Sequence, residues 1–271
     1  RAIGYSMTGI TTEHCLFVLY GTGRNGKSTF LNTFLGLMGD YAHKAPPDLL
    51  MVRHWDSHPT ERALLHGIRY APAIETQQGR YMDEVTTKEL TGGDPVVARR
   101  MREDFWQFEA THHLWVATNH KPMIRGTDLG IWSRLRLTPF SVTIPPGEQD
   151  RSLMDKLKLE WAAISAWGVQ GCLQWQEQGL MEPPEVRRAT SEYRDEMDVL
   201  GDFLTDRCQE EDGARSTAKD LYDSYQAWTK ASGEKTITKR DFGARLLERG
   251  FRQARGAKGT RIWRGIRLLD A

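Results

Sequence analysis

Short apolar runs alternate with stretches of helical spacing through the first half of the chain. From His14 to Tyr20 the run His-Cys-Leu-Phe-Val-Leu-Tyr is brief and apolar, as a parallel strand buried on both faces should be. Ser28 to Met38 places Phe30, Leu31, Phe34, Leu35 and Met38 at helical intervals, and Gly39 supplies a stop. A second helix fits Thr60 to His66, and an apolar segment follows from Ile68 to Ile74. His113 to Thr118 and Leu135 to Phe140 read as two further strands. Strands separated by helices predict an α/β core with a largely parallel sheet. Pro72 fits that reading only near the end of its strand, because proline removes a ladder donor. The chain opens at Arg1 and is expected to run almost at once into a strand, as a piece of a longer protein would.

After Pro145-Pro146 the pattern changes. Leu153, Leu157, Trp161, Ile164 and Trp167 recur at helical spacing and predict a packed helical face, and Pro183-Pro184 opens another helical stretch through Arg194. Val199 to Cys208 reads as a helix, and Thr217 to Ala231 as another with Leu221, Tyr222, Tyr225 and Trp228 inward. A further helix runs from Thr238 to Arg249, with Thr238 and Asp241 as a capping pair. Phe251 to Leu268 alternates as a hairpin around Gly256-Ala-Lys-Gly259. Helix, helix and two-stranded wing is the order of a winged helix. The expected organisation is a core over residues 1–145, a helical extension over 146–198 and a winged-helix domain over 199–271.

Charge and composition narrow this further. Lys and Arg total 37 against 36 Asp and Glu, so attraction to nucleic acid must be local rather than global. No apolar run is long enough for a membrane span, and no signal peptide is visible. Cys15, Cys172 and Cys208 are odd in number, widely spaced and without a CxxC pair, which points to reduced thiols in a cytoplasmic setting and against a zinc site. His54 and His58 sit four apart, as metal ligands can, but nothing nearby completes a tetrahedral set. They read as loop or cap residues.

The chemistry is concentrated in one loop. Residues 21 to 28 read Gly-Thr-Gly-Arg-Asn-Gly-Lys-Ser, a full G-x-x-x-x-G-K-[ST] match between a strand and a helix. Gly21, Gly23 and Gly26 let backbone N–H groups turn onto phosphate oxygens at a helix N-terminus, where the dipole favours anions. Thr22, Arg24, Asn25 and Thr29 complete the cradle for ATP, Lys27 supplies charge to the β- and γ-phosphates, and Ser28 offers its hydroxyl to Mg²⁺. The loop alone does not separate a motor from a small kinase or a GTPase. A hydrolase also needs a carboxylate at the end of a neighbouring strand to hold Mg²⁺, and Glu75 fits that place. Asn119 ends the apolar strand Leu114-Trp-Val-Ala-Thr118 with an amide able to orient the attacking water. Arg134, in Gly130-Ile-Trp-Ser-Arg-Leu-Arg136, is placed to act as an arginine finger on an adjoining subunit's nucleotide.

Four blocks in this order, Glu75-Thr76-Gln-Gln-Gly79-Arg80, Leu90-Thr91-Gly92-Gly93-Asp94-Pro95, Ala117-Thr118-Asn119-His120-Lys121-Pro122 and Gly126-Thr127-Asp128-Leu-Gly130-Ile-Trp132, are together similar to the superfamily 3 helicase domain of phage and plasmid primases and poxvirus-type primase–helicases. The resemblance covers roughly residues 1 to 200, and the tail resembles the winged-helix module that follows the motor in phage relatives. It implies an AAA+-like P-loop ATPase with a mostly parallel sheet, a helical region and a winged-helix domain. It also implies a hexameric ring unwinding DNA 3′ to 5′, and a primase–polymerase domain on the N-terminal side. By resemblance, residues 21 to 28 are the Walker A loop, Glu75 the Walker B acid, Asn119 the sensor and Arg134 the finger. Relatives carry paired arginines where this chain has Ser133-Arg134, so Arg136 stays open as the finger. Thr76 replaces a second carboxylate found in many viral relatives, which leaves the group that activates water open, with Glu75 preferred.

Two basic elements are candidates for DNA. Arg99, Arg100 and Arg102 lie between apolar flanks that fit a hairpin with a charged tip; the resemblance implies that this hairpin grips the phosphates of a single strand in the ring channel. In the tail, Lys239, Arg240, Arg245, Arg255, Lys258 and Arg261 mark a recognition helix and wing for duplex DNA. Two rivals remain at this level. An ATP-gated DNA-binding or loading module shares every feature except turnover, whereas a small-molecule kinase shares only the loop.

Overall fold

The computed structural model describes residues 1–53, 60–74, 79–126, 129–256 and 259–269. They form two compact units, Arg1–Tyr193 and Arg194–Ala271. The first begins with helix α1 (Ala2–Thr8), strand β1 (Leu16–Tyr20) and helix α2 (Lys27–Met38). Then come α3 (Thr60–Ala63), β2 (Tyr70–Ile74), α4 (Glu84–Thr91), the hairpin strands β3 (Val96–Arg99) and β4 (Phe105–Phe108), and β5 (His113–Thr118). It continues through α5 (Leu129–Trp132), β6 (Leu135–Pro139), α6 (Leu153–Leu159) and α7 (Trp161–Gln178), and α8 (Pro184–Glu196) brings it to its end.

Four strands form an all-parallel sheet in the order β2-β5-β1-β6. All six residues of β5 are buried, which is why Leu114 to Ala117 are continuously apolar rather than alternating; the polar ends His113 and Thr118 are hydrogen-bonded. Phe17 stacks on Trp115 at 4.3 Å, and Tyr70, Phe34 and Leu31 close over them. Pro72 lies in the middle of β2, not near its end as expected. The strand is at the sheet edge, and the carbonyls of Tyr70 and Pro72 point away from β5 to accept from His43 N and Ala45 N at 3.1 and 2.9 Å. The proline nitrogen therefore falls on the side where no full ladder needs a donor.

The expected immediate entry into a strand is corrected by α1. This helix packs on α7 with almost no gap: a Cβ on Gly4 would lie 2.1 Å from Cys172 N, and one on Gly168 would lie 2.7 Å from Met7 Sδ. Trp115 Nε1 donates to Ser6 Oγ at 3.0 Å and ties the helix to the sheet. The packed face expected over residues 151–180 forms in part: Ile164 packs on the core, Trp167 stacks on Phe34 at 6.2 Å and Trp161 lies against Gly36. The segment breaks at Glu160 into α6 and α7, and Trp167 is 57% exposed, Leu159 88% and Leu173 48%. Leu153, Leu157, Ile164 and Trp167 line a cavity.

His112 is buried beside β5; its Nε2 meets Leu90 O at 3.0 Å and its Nδ1 has no partner among the described residues. Burial, with His113 alongside, pushes its pKa down from 6.5 to about 4, and burial lowers His113 as well. The folded form binds the proton later than the unfolded chain does. Stability is therefore full above pH 6.5 and falls as the pH drops toward 4, by an upper bound of about 3 kcal/mol for His112. Urea melts at pH 7 and pH 5 check this: His112→Gln should start less stable and lose less between the two, and an equal loss would remove His112 as the cause.

The second unit holds α9 (Val199–Arg207), β7 (Cys208–Thr217), α10 (Ala218–Ser232), α11 (Lys239–Glu248), β8 (Arg252–Arg255) and β9 (Arg261–Leu268). Its antiparallel sheet has the order β7-β9-β8, and Phe203, Leu221, Tyr225, Phe242, Leu246, Trp263 and Ile266 form the core between helices and sheet. Asp198, Thr217 and Thr238 cap the three helices through their side chains. Strand β7 was not expected. With it the order is winged-helix-like: helix, strand, two helices and a terminal hairpin. The three cysteines are free, and among the described residues no helix is long and apolar enough to cross a membrane.

Candidate nucleotide-binding site

The loop between β1 and α2 owes its shape to backbone signs that glycine tolerates. Gly23 has φ +108° and Gly26 φ +86°, with Arg24 at φ +49° between them. Gly21 is required for a different reason, since a Cβ there would lie 2.2 Å from Phe140 O and 2.4 Å from Asn25 Nδ2. Gly26 caps α2, so the first turn of that helix, with the exposed Ser28, opens at the mouth of the loop.

Lys27 is only 5% exposed, and all three of its ammonium donors are used. They reach Gly21 O at 2.7 Å, Asn25 Oδ1 at 2.9 Å and Asn119 Oδ1 at 3.0 Å. Burial pulls its pKa below the ordinary lysine value. Asn25 also donates to Phe140 O at 3.0 Å, so one amide joins the lysine to the end of β6. The register explains why Asn119 is here: β5 lies beside β1, Tyr20 pairs with Thr118, and the next residue on each strand enters the same end of the sheet. Glu75 lies outside the described residues, as do His54, His58 and Lys258. The last described residue of β2, Ile74, pairs with Ala117, two residues before Asn119.

The cradle fits a phosphate chain: its turn is open at Gly23 and Gly26, where a Cβ would meet nothing within 4 Å, and it holds one buried ammonium. For a divalent cation the described residues offer the Ser28 hydroxyl, and no group of three or more His, Cys, Asp or Glu side chains is found among them. Beside the loop lies a cavity of about 820 Å³ that the sequence reading missed, lined by Arg24, Gly26 and Thr29 on one side and by Phe30, Phe34, Phe140, Ile144 and Trp167 on the other. The exposed apolar spacing of α6 and α7 was its signal.

Arg134 stands at the start of β6, where Leu135 pairs with Leu16; the loop lies beyond the other end, where Pro139 pairs with Tyr20. One strand length, roughly 16 Å, separates them. Arg134 is half-buried; its Nη1 donates to Gly130 O at 2.5 Å, and its Nε has no partner among the described residues. Arg136 donates to Ser133 O at 2.7 Å and Leu135 O at 3.0 Å and approaches Glu182 at 3.9 Å.

The hairpin read from the sequence is formed. Arg99 pairs with Phe105 at its end, Arg102 turns the tip at φ +63°, and Arg99, Arg100 and Arg102 are exposed. The guanidinium of Arg99 lies 5.4 Å from the Phe105 ring, and that of Arg100 lies 5.6 Å from Trp106. In the second unit Lys239, Arg240, Arg255 and Arg261 are exposed and Arg245 is half-buried.

The chain is similar to several known proteins. A family model described as "Family of unknown function (DUF5906)" matches residues 19–134, and one described as "Poxvirus D5 protein-like" matches residues 195–258. A protein of Frog virus 3 (isolate Goorha) named "Putative helicase 022R" is 26% identical over 246 residues, covering 82% of this chain and 25% of the viral protein. "Putative helicase L207/L206" of Acanthamoeba polyphaga mimivirus is 29% identical over 251 residues, 83% of this chain and 26% of that protein. The chain spans about a quarter of the length of these relatives. The A form apo structure of the NrS-1 C-terminal region has a similar fold, with a TM-score of 0.58 at 10% identity over 98% of this chain and 71% of that one. One match lies over the phosphate-loop core and the other over the basic tail, and together they link the chain at family level to the viral primase–helicase proteins that its motif blocks resemble.

Proposed function

We propose that the chain is the motor part of an ATP-driven DNA helicase, working as a ring of identical subunits, six by resemblance, and moving along single-stranded DNA from 3′ to 5′. The observation that carries this is the shared lysine: Lys27, Asn25 and Asn119 form one hydrogen-bonded group at the end of a parallel sheet. An incoming phosphate competes for the Lys27 ammonium, and Asn119 is released to orient water against it. Mg²⁺, held by Ser28 and Glu75, would neutralise charge on the transferring phosphoryl group. The cavity beside Gly26 suits an aromatic base, with Phe30, Phe140 and Trp167 as its apolar walls. Arg99, Arg100 and Arg102 grip the phosphates of the translocated strand, and the winged helix contacts duplex through α11 and its wing. A primase–polymerase domain of the longer protein would work with this motor in a host cytoplasm.

The test is strand displacement of a forked duplex by the oligomer with ATP and Mg²⁺. Arg99→Ala with Arg100→Ala is expected to abolish unwinding and to lose most of the DNA stimulation of hydrolysis. ATPase activity that DNA never stimulates would overturn the reading. DNA binding gated by ATP without turnover would mark a loading module instead.

A further inference from the structure

Strand β9 runs between β7 and β8, and Arg264 lies directly opposite Arg215 on one side and Arg252 on the other. Directly opposed residues of an antiparallel sheet share a face, with neighbouring strands about 4.8 Å apart, so the three arginines make one row about 10 Å long. All three are exposed, and among the described residues none is paired with a carboxylate. Arg267, further along β9, shows the contrast: it is 3.3 Å from Glu211 and donates to Gln209 at 2.6 Å.

The row lies on the face turned away from the helices. Trp263, the neighbour of Arg264, is 2% exposed in the core, and a Cβ on Gly243 of α11 would touch its ring at 3.5 Å. Strand alternation turns Arg264 the opposite way. Arg255 and Arg261, which face each other one parity out of step, belong with the helix side. The basic residues of this unit therefore divide between two surfaces, and only one of them carries α11.

Like charges placed directly opposite one another in a sheet oppose folding, and three in line without an acid do so twice over. An anion that binds the row removes that penalty. Guanidinium forks match phosphate oxygens in pairs. A flat, exposed line suits a repeating anion better than one small phosphate, which would need a concave site. We propose that Arg215, Arg252 and Arg264 form a phosphate-docking row for duplex DNA on the outer face of the β7-β9-β8 sheet, the face opposite α11. The choice of DNA rests on the nucleic-acid reading above. The row positions duplex without reading its sequence.

The test measures binding of the full chain to a fluorescent duplex across a salt series, for wild type and for Arg215→Gln, Arg252→Gln and Arg264→Gln combined. Each lost phosphate contact should reduce the log–log salt slope by about 0.9, so the triple variant should lose about 2.7. Between 50 and 200 mM salt this amounts to roughly 40-fold less loss of affinity than wild type shows. Its melting temperature should be equal or higher, since opposed charges have been removed. Arg264→Gln alone is the second variant, with an expected slope change of about 0.9. An unchanged slope and affinity in a variant of a DNA-binding wild type would overturn the row alone. A row that prefers polyglutamate, displaced from wild type but not bound by the variant, would make it a docking site for an acidic protein and overturn the DNA assignment. Wild type that binds no duplex at any salt would remove the nucleic-acid reading and this inference together.

Discussion

Lys27→Ala is expected to abolish ATP binding and hydrolysis together while leaving the chain folded. The loop carries two cations: Arg24 is exposed, and the Lys27 ammonium is the buried one. A phosphate entering without it would meet Gly21 O and the Asn25 and Asn119 amide oxygens, all acceptors, with no buried charge to offset them. Loss of a charge-assisted contact at a developing anion lowers turnover by about 10²–10³ for a single donor. Here the same group also holds the ground state, so affinity falls with it. Folding should suffer little, because Asn119 is exposed and can turn its amide to water. Lys27→Arg should not rescue, since a forked guanidinium does not fit where three acceptors close around a single nitrogen. Binding of a fluorescent ATP analogue, phosphate release and thermal melting together decide it. A folded Lys27→Ala protein that hydrolyses ATP within tenfold of wild type would end the assignment of this loop.

That site was legible because its parts are contiguous or strand-terminal. The loop is eight consecutive residues, and β5 was read with the correct bounds because every one of its positions is buried and Leu114 to Ala117 are apolar without a break. The hairpin announced itself by apolar flanks around charge, α10 by its apolar spacing and α11 by its capping threonine. What stayed hidden depends on distant partners. Helix α1 exists because Gly4 meets Gly168 and Gly171 across most of the first unit's sequence, and seven residues with a central glycine carry no helical signal of their own. Strand β7 is almost wholly polar, Gln-Glu-Glu-Asp-Gly through its middle, and its pairing with β9 shifts register there. Only the partner strand makes it a strand. On α6 and α7 the apolar spacing was read correctly and its destination only in part: Ile164 and Trp167 pack on the core and also border the cavity. Periodicity states that a face is apolar, but not whether protein or a ligand covers it, and here it borders the cavity beside the loop.

The same limit applies to the finger, where the sequence preferred Arg134 and left Arg136 open. Arg136 is held by two carbonyls of its own turn and lies near Glu182. Arg134 keeps its Nε unpartnered among the described residues, at the end of β6 farthest from its own loop. A guanidinium a full strand away does not reach the loop of its own subunit; in the ring proposed above it would act on an adjoining copy. Arg134→Ala is therefore expected to bind ATP within about threefold of wild type and to lose about 10³-fold or more in hydrolysis. Arg136→Ala should cost far less. Mixing supplies the decisive arm. Lys27→Ala subunits have a dead cradle and a sound Arg134, and Arg134→Ala subunits the reverse. A mixed oligomer contains some junctions in which the sound cradle meets the sound arginine, so activity should return on mixing two inactive proteins. Silence on mixing, in oligomers shown to exchange subunits, or full hydrolysis by a monomer of Arg134→Ala, would mean that the arginine is structural and that each subunit works alone.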